Sequence, residues 1–75
     1  MKLFVFENVL WNYSSGIVVV TADSFDRACD LSYEKFKHSY RSLETLRHEF
    51  SKYVTDYVLQ GEIPEGVKHH VYGGG

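Results

Sequence analysis

Four histidines, one cysteine and scattered carboxylates are the side chains of this sequence that could do chemistry. His69 and His70 are adjacent, and neighbouring side chains on a strand point to opposite faces, so the pair cannot ligate one metal ion without a bulge. His38 and His48 fall on predicted helices, with Glu49 beside the second. These three have no spacing that defines a metal or acid–base site, and we predict no metal centre.

The other chemical candidates are the thiol of Cys29 and a glycine-spaced segment near the C terminus. A lone cysteine is more often a small core residue than a nucleophile, and we predict that Cys29 is buried. The segment Gly61 to Gly66 has the glycine spacing of a phosphate loop, but Val67-Lys68 follows where Lys-Ser or Lys-Thr is required. No hydrolase, zinc-protease or dinucleotide motif is present, so we predict a protein that is not an enzyme and has no cofactor.

Length and composition predict one small globular domain. The chain has 75 residues, 44% of them hydrophobic, and a net charge of −2. We expect the domain to span residues 1–72, followed by a flexible glycine tail at 73–75. The apolar run from Met1 to Phe6 is interrupted by Glu7 before it could act as a signal or membrane segment. With a single cysteine, this predicts a cytoplasmic protein with no membrane partner.

The run from Gly16 to Ala22 organises the predicted fold. Five consecutive β-branched residues, Ile17 to Thr21, favour a strand, and the apolar character of the run predicts that both of its faces are covered. Residues 2–11 form another strand candidate. The turn residues 12–16 between them predict an antiparallel hairpin with a loop of four or five residues.

Two helices are predicted next. Asp23 or Ser24 can cap the first helix. Its apolar face carries residues spaced by three or four: Phe25, Ala28, Cys29, Ser32, Phe36 and Tyr40. The hydroxyl-rich segment 39–42 predicts a bend near Tyr40. Residues 42–53 continue as a second helix whose apolar face holds Leu43, Leu46, Phe50 and Tyr53 or Val54.

The C-terminal part is predicted to form two more strands. Residues 57–63 and 67–72 flank a turn at Pro64-Glu65-Gly66, in which proline presets φ. Alternation places Val67, His69 and Val71 on one face of the last strand and Lys68, His70 and Tyr72 on the other, exposed face. The sequence thus predicts an α+β fold of order β-β-α-α-β-β, with helices packed on one four-stranded, mainly antiparallel sheet.

This architecture leaves an apolar surface without a cover. If both helices pack on one face, the other exposes either part of the set Phe4, Phe6, Leu10, Val18 and Val20 or its odd-numbered counterpart. Contiguous apolar surface of this kind usually marks a partner site. We therefore expect a homodimer through the sheet face, a protein partner, or one helix on the other face.

Aromatic and basic residues suggest where a partner would bind. Six Tyr and one Trp are unusually many for this length, and several fall at predicted element ends, where they either anchor an interface or close the rim of the core. With two arginines, they form the predicted partner-binding set: Trp11, Tyr13, Tyr40, Arg41, Arg47, Tyr53 and Tyr72. A competing hypothesis is nucleic-acid binding by the basic band 35–52, through Lys37, Arg41, Arg47 and Lys52.

Two family resemblances bear on function. The hairpin, the following helix and the C-terminal glycines resemble ubiquitin-like modifiers, although the helical stretch 42–53 departs from them. The opening residues 1–6, the step from strand to helix over 18–24 and the triple-glycine end resemble small phage-encoded proteins of the anti-CRISPR and anti-defence type. That resemblance implies an inhibitor that binds a host defence complex stoichiometrically in the host cytoplasm.

Overall fold

Four strands and two α-helices, in the predicted order, make up the part of the chain that the structure describes. The computed structural model describes residues 1–12 and 14–73, with the side chains of residues 12 and 14 excepted. The elements are β1 (Lys2–Asn12), β2 (Ser14–Ala22), α1 (Phe25–Phe36), a 3₁₀ turn (Lys37–Ser39), α2 (Leu43–Phe50), β3 (Val54–Val58) and β4 (Gly66–Val71). All pairings in the sheet are antiparallel, in the order β3-β1-β2-β4. The predicted α+β class is confirmed.

The β1–β2 hairpin is tighter than the sequence predicts. The strands pair as far as Asn12 and Ser14, so the expected loop of four or five residues is wrong. The pairing of β1 with β2 shifts its register twice, and Asn8 and Leu10 at these shifts have φ of 57° and 52°. The shifts allow the paired region to extend to Asn12 and Ser14. A β-bulge inserts extra residues into one strand and bends it. The bulges in β1 therefore allow residues that the sequence assigns to the turn to pair with β2.

The helices begin where the sequence predicts. The Ser24 side chain caps α1 by accepting from the Arg27 amide at 3.1 Å, and Ser42 caps α2 by accepting from the Thr45 amide at 3.2 Å. The chain bends between the helices, with Tyr40 in extended backbone, as expected.

The boundaries after α2 differ from the prediction. The predicted helix 42–53 ends at Phe50, and the predicted strand 57–63 lies instead at Val54–Val58. Pairing of these β-branched residues with β1 overrides the helical spacing that continues through Tyr53 and Val54. Residues 59–65 then form the connection between the two edge strands.

The core lies between the helices and one face of the sheet. Its strand residues are Phe4, Phe6, Val18, Val20 and Ala22, with Val9 and Leu10 beyond the bulge. Its helical residues are Ala28, Cys29, Phe36, Leu46 and Phe50. The predicted core position of Cys29 is therefore confirmed.

The Cys29 thiol should be inert in the folded protein. Burial raises the pKa of this thiol to about 12, so almost none of the reactive thiolate forms at pH 8. We expect modification by an aromatic disulfide reagent at pH 8 to be at least about a hundredfold slower than that of free cysteine. Urea should restore the ordinary rate, and fast modification of the native protein would contradict the buried placement.

Some side chains of β4 lie on the face opposite to the predicted one. A register shift between the partners of Val19 and Val20 leaves Lys68 as an extra residue. Val67 consequently packs toward the core, and the rings of His70 and Tyr72 contact Phe36 on the helical side, with centroids 5.0 and 5.9 Å away. The expected grouping of Val67 with His69 and Val71 is wrong because the bulge reverses the alternation.

Candidate functional site

The face of the sheet opposite the helices carries an apolar surface. Residues on this side face each other across the strands: Leu3 and Thr21, Val5 and Val19, Leu3 and Tyr57, Ile17 and Val71. We call open face the set Leu3, Val5, Ile17, Val19, Tyr57 and Val71. The first four are partly exposed, and Tyr57 and Val71 are 53% and 48% exposed. The prediction that both faces of β2 are covered is wrong, and the odd-numbered set is the uncovered one.

One end of this side of the sheet is closed by the 59–65 connection. The hydroxyl of Thr21 donates to the carbonyl oxygen of Pro64 at 2.7 Å, and Thr21 is buried. Arg27 of α1 fixes the same segment through two hydrogen bonds to Glu65, at 2.5 and 3.2 Å. These bonds lower the pKa of the exposed Glu65 carboxyl. The open face is therefore bounded at the Thr21 end.

Two exposed aromatic rings line a cleft near the opposite end of β1. This cleft of about 370 Å³, here called the aromatic cleft, is lined by Asn8, Trp11, Glu49, Lys52 and Tyr53. Trp11 is 60% exposed and Tyr53 56% exposed. The Trp11 indole Nε1 donates to the Asn8 carbonyl oxygen at 2.9 Å, which restrains the ring without burying it. Glu7 lies two residues after Val5 on β1. Its amide donates to the Tyr53 carbonyl oxygen at 2.9 Å, and this bond links the cleft to the sheet.

The bulged backbone beside the cleft is held by partly buried hydrogen bonds. Leu10, at positive φ, donates its amide to the Tyr40 hydroxyl at 3.1 Å and accepts from the Gly73 amide at 3.0 Å. Tyr40 in turn donates to the Glu49 carboxylate. Burial and this hydrogen bond raise the pKa of Tyr40 well above its usual value. Such bonds compensate a backbone conformation that costs a branched residue of order 1 kcal/mol or more.

Tyr40→Phe tests this support. The substitution removes the hydroxyl between the Leu10 amide and Glu49, and we expect the free energy of unfolding to fall by about 1–3 kcal/mol. Tyr53→Phe, at an exposed ring, should change it by less than about 0.5 kcal/mol. Urea titration measures both, and equal losses would show that the Tyr40 hydroxyl does not hold the bulge.

The predicted partner-binding residues fall into different places. Trp11 and Tyr53 meet in the aromatic cleft, and Tyr40 supports it from within. Tyr72 is exposed at one end of β4 but packs its ring on Phe36 and His70. Arg41 is exposed beyond the 3₁₀ turn, and Tyr13 lies outside the described residues. The individual residues of the open face were not in the predicted set. Their signal was the period-two alternation of β1 and β2.

The basic band does not present all its charges outward. Arg47 lies 3.4 Å from an Asp30 oxygen and 3.9 Å from an Asp26 oxygen on α1. Its Nε is buried and has no hydrogen-bond partner among the described residues. Lys37 lies 3.6 Å from Glu34. Two of the four residues predicted to hold phosphates therefore already face carboxylates.

Other kinds of site find no support in the part of the chain that the structure describes. Residues 1–12 and 14–73 contain no group of three His, Cys, Asp or Glu side chains placed to hold a metal ion. Within the same ranges, no helix is long and apolar enough to cross a membrane. Comparisons with protein-family models, with curated proteins and with solved structures give no match.

Proposed function

We propose that this chain is a non-enzymatic binding protein that associates stoichiometrically with another protein through its open face. The observation that carries the proposal is the one-sided packing of the sheet. Both helices cover the even-numbered side, while Val5, Ile17 and Val19 remain partly exposed on the other. An apolar face of this kind on a small domain is typical of a partner site.

The size of the open face indicates that neighbouring surfaces take part. Four strands about 4.8 Å apart and about five residues long, at about 3.3 Å per residue, give a flat area of about 300 Å². A standard interface uses about 800 Å² on each partner. An interface that continues past the end of β1 to the aromatic cleft would gain additional area, and Trp11 in that cleft is of a residue type enriched among binding hot spots.

The resemblance to small phage-encoded proteins adds a class of partner to this proposal. A host defence complex, inhibited by occlusion, is the proposed target. Simple occlusion needs a shaped surface and no catalytic set, which is compatible with an open face and exposed aromatic rings. A homodimer through the same face and nucleic-acid binding are the outcomes against which the proposal is tested.

The test compares removal of a ring with reversal of a charge. Affinity capture from the native host, with quantitative mass spectrometry, should show that Trp11→Ala lowers recovery of the partner by about tenfold. Arg41→Glu should leave recovery nearly unchanged. The opposite ranking, together with loss of capture after nuclease treatment, would favour the basic band. Capture of this chain alone would favour the homodimer.

A further inference from the structure

We propose that β3 is a docking edge, to which the protein partner adds an extended strand with a basic residue opposite Asp56. This inference rests on the proposed function in taking the partner to be a protein, and it assigns a second surface and a chemistry to that partner. All five residues of β3 are exposed, and they pair with β1 without any register shift. The strand is rich in β-branched residues, which favour strand pairing.

The hydrogen-bond alternation shows which backbone groups of β3 are free. The Glu7 amide bonds to the Tyr53 carbonyl oxygen, and the Leu59 amide bonds to the Met1 carbonyl oxygen. Hydrogen-bonded and non-bonded pairs alternate along an antiparallel ladder, so Thr55 and Tyr57 point their backbone groups at β1. The amides and carbonyls of the remaining three residues point away from the sheet: Val54, Asp56 and Val58.

The two edges of the sheet differ in their protection against the addition of another strand. The β4 edge is broken by the bulge at Lys68, and a bulge with a lysine is a common protection against strand addition. The β3 edge has no bulge, and its one charged residue is Asp56. The Asp56 carboxylate lies 3.3 Å from the Lys2 ammonium and stays half exposed.

Asp56 disfavours the most obvious occupant of this edge, a second copy of the chain. An antiparallel pair of β3 strands that uses all three free positions places Val54 opposite Val58, and Asp56 of one copy directly opposite Asp56 of the other. Like charges directly opposite each other destabilise a strand pair. Registers shifted by two residues avoid this contact but leave part of the free backbone unpaired.

A strand from another protein has no such penalty when it carries Lys or Arg at the central position. Opposite charges at directly opposed positions stabilise the pair, and apolar or β-branched residues two positions away would face Val54 and Val58. Strand addition supplies backbone hydrogen bonds for affinity and alternate side chains for specificity. It also enlarges the interface beyond the open face, to which Tyr57 of the same strand belongs.

Synthetic strands test the charge rule directly. The probes are two capped peptides, one with the core Val-Thr-Lys-Thr-Val and one with Glu in place of Lys. Both are N-methylated at the two Thr residues, whose amides would face away from β3, so that the peptides do not pair further with each other. Amide NMR shifts of the ¹⁵N-labelled protein should locate the lysine peptide at Val54, Asp56 and Val58, with affinity about fivefold above that of the glutamate peptide. Asp56→Lys should reverse this preference, which a purely structural role would not do.

Self-association gives a second readout. Sedimentation equilibrium should show that Asp56→Thr, which keeps a good strand former, self-associates about fivefold more strongly than the wild type. Asp56→Lys restores like charges and should behave as the wild type does. Peptide shifts on β4, equal affinities for both peptides, or unchanged association of Asp56→Thr would each overturn the inference. If partner capture still depends on the open face, the proposed function stands without it.

Discussion

Val19→Lys is expected to weaken partner binding by at least about tenfold while the protein stays folded. Val19 lies in the centre of the open face, opposite Val5 and His69, and is partly exposed. In the free protein a lysine can extend its ammonium into solvent. In the complex the same ammonium would be covered by apolar surface without a partner, a cost of several kcal/mol if it cannot escape.

The measurement is titration calorimetry with the captured partner, with circular dichroism to confirm folding. Ser39→Lys is the matched control, because it makes the same change of charge at an exposed position in the 3₁₀ turn on the helical side. The control should bind as the wild type does. Equal affinities for Val19→Lys and the wild type would remove the open face from the interface.

Phe6→Ala is expected to remove a large part of the stability of the domain. The Phe6 ring is fully buried, and its centroid lies 4.6 Å from that of Phe50 and 6.1 Å from that of Phe25. Truncation of such a ring costs about 3–5 kcal/mol. A chain of this length has a total free energy of unfolding of about 4–11 kcal/mol. Urea titration should therefore find the free energy of unfolding of the variant lowered by about 3–5 kcal/mol, a large share of the total.

The control for this prediction makes the same kind of truncation on the other side of the sheet. Tyr57→Ala removes a half-exposed ring of the open face and should cost only about 1 kcal/mol. Phe6→Leu, with a smaller loss of volume, should fall between the two and remains measurable if the alanine variant does not fold. Similar losses for Phe6→Ala and Tyr57→Ala would mean that the sheet is covered on both sides.

The elements that carry local signals could be predicted from the sequence. Ser24 and Ser42 mark the two helix starts because a hydroxyl at the cap position bonds the free amides of the first turn. The spacing of Cys29, Ser32 and Phe36 identifies the buried face of α1. Period-two alternation in β1 and β2 predicted that one face of the sheet has no helix on it. Whether the even-numbered or the odd-numbered side chains form that face depends on where the helices pack.

What the sequence could not show depends on pairing between distant segments. Tyr53 and Val54 continue the helical spacing of α2, and only contact with β1 makes Val54 the start of a strand. No residue type near Lys68 indicates the bulge. It arises because β2 pairs Val19 with His69 and Val20 with Val67. Trp11 and Tyr53 are far apart in the chain, and the β1–β3 pairing with the bulge in β1 brings them to one cleft.

Site-specific photocrosslinking tests the central claim most directly. A benzophenone amino acid replaces Tyr57 on the open face in one variant and the exposed Glu34 on α1 in the other, in the native host. We predict a discrete crosslinked protein from position 57 that is absent from position 34 and is lost when Val19→Lys is added. No product from position 57, or the same product from both positions, would contradict a partner bound at the open face.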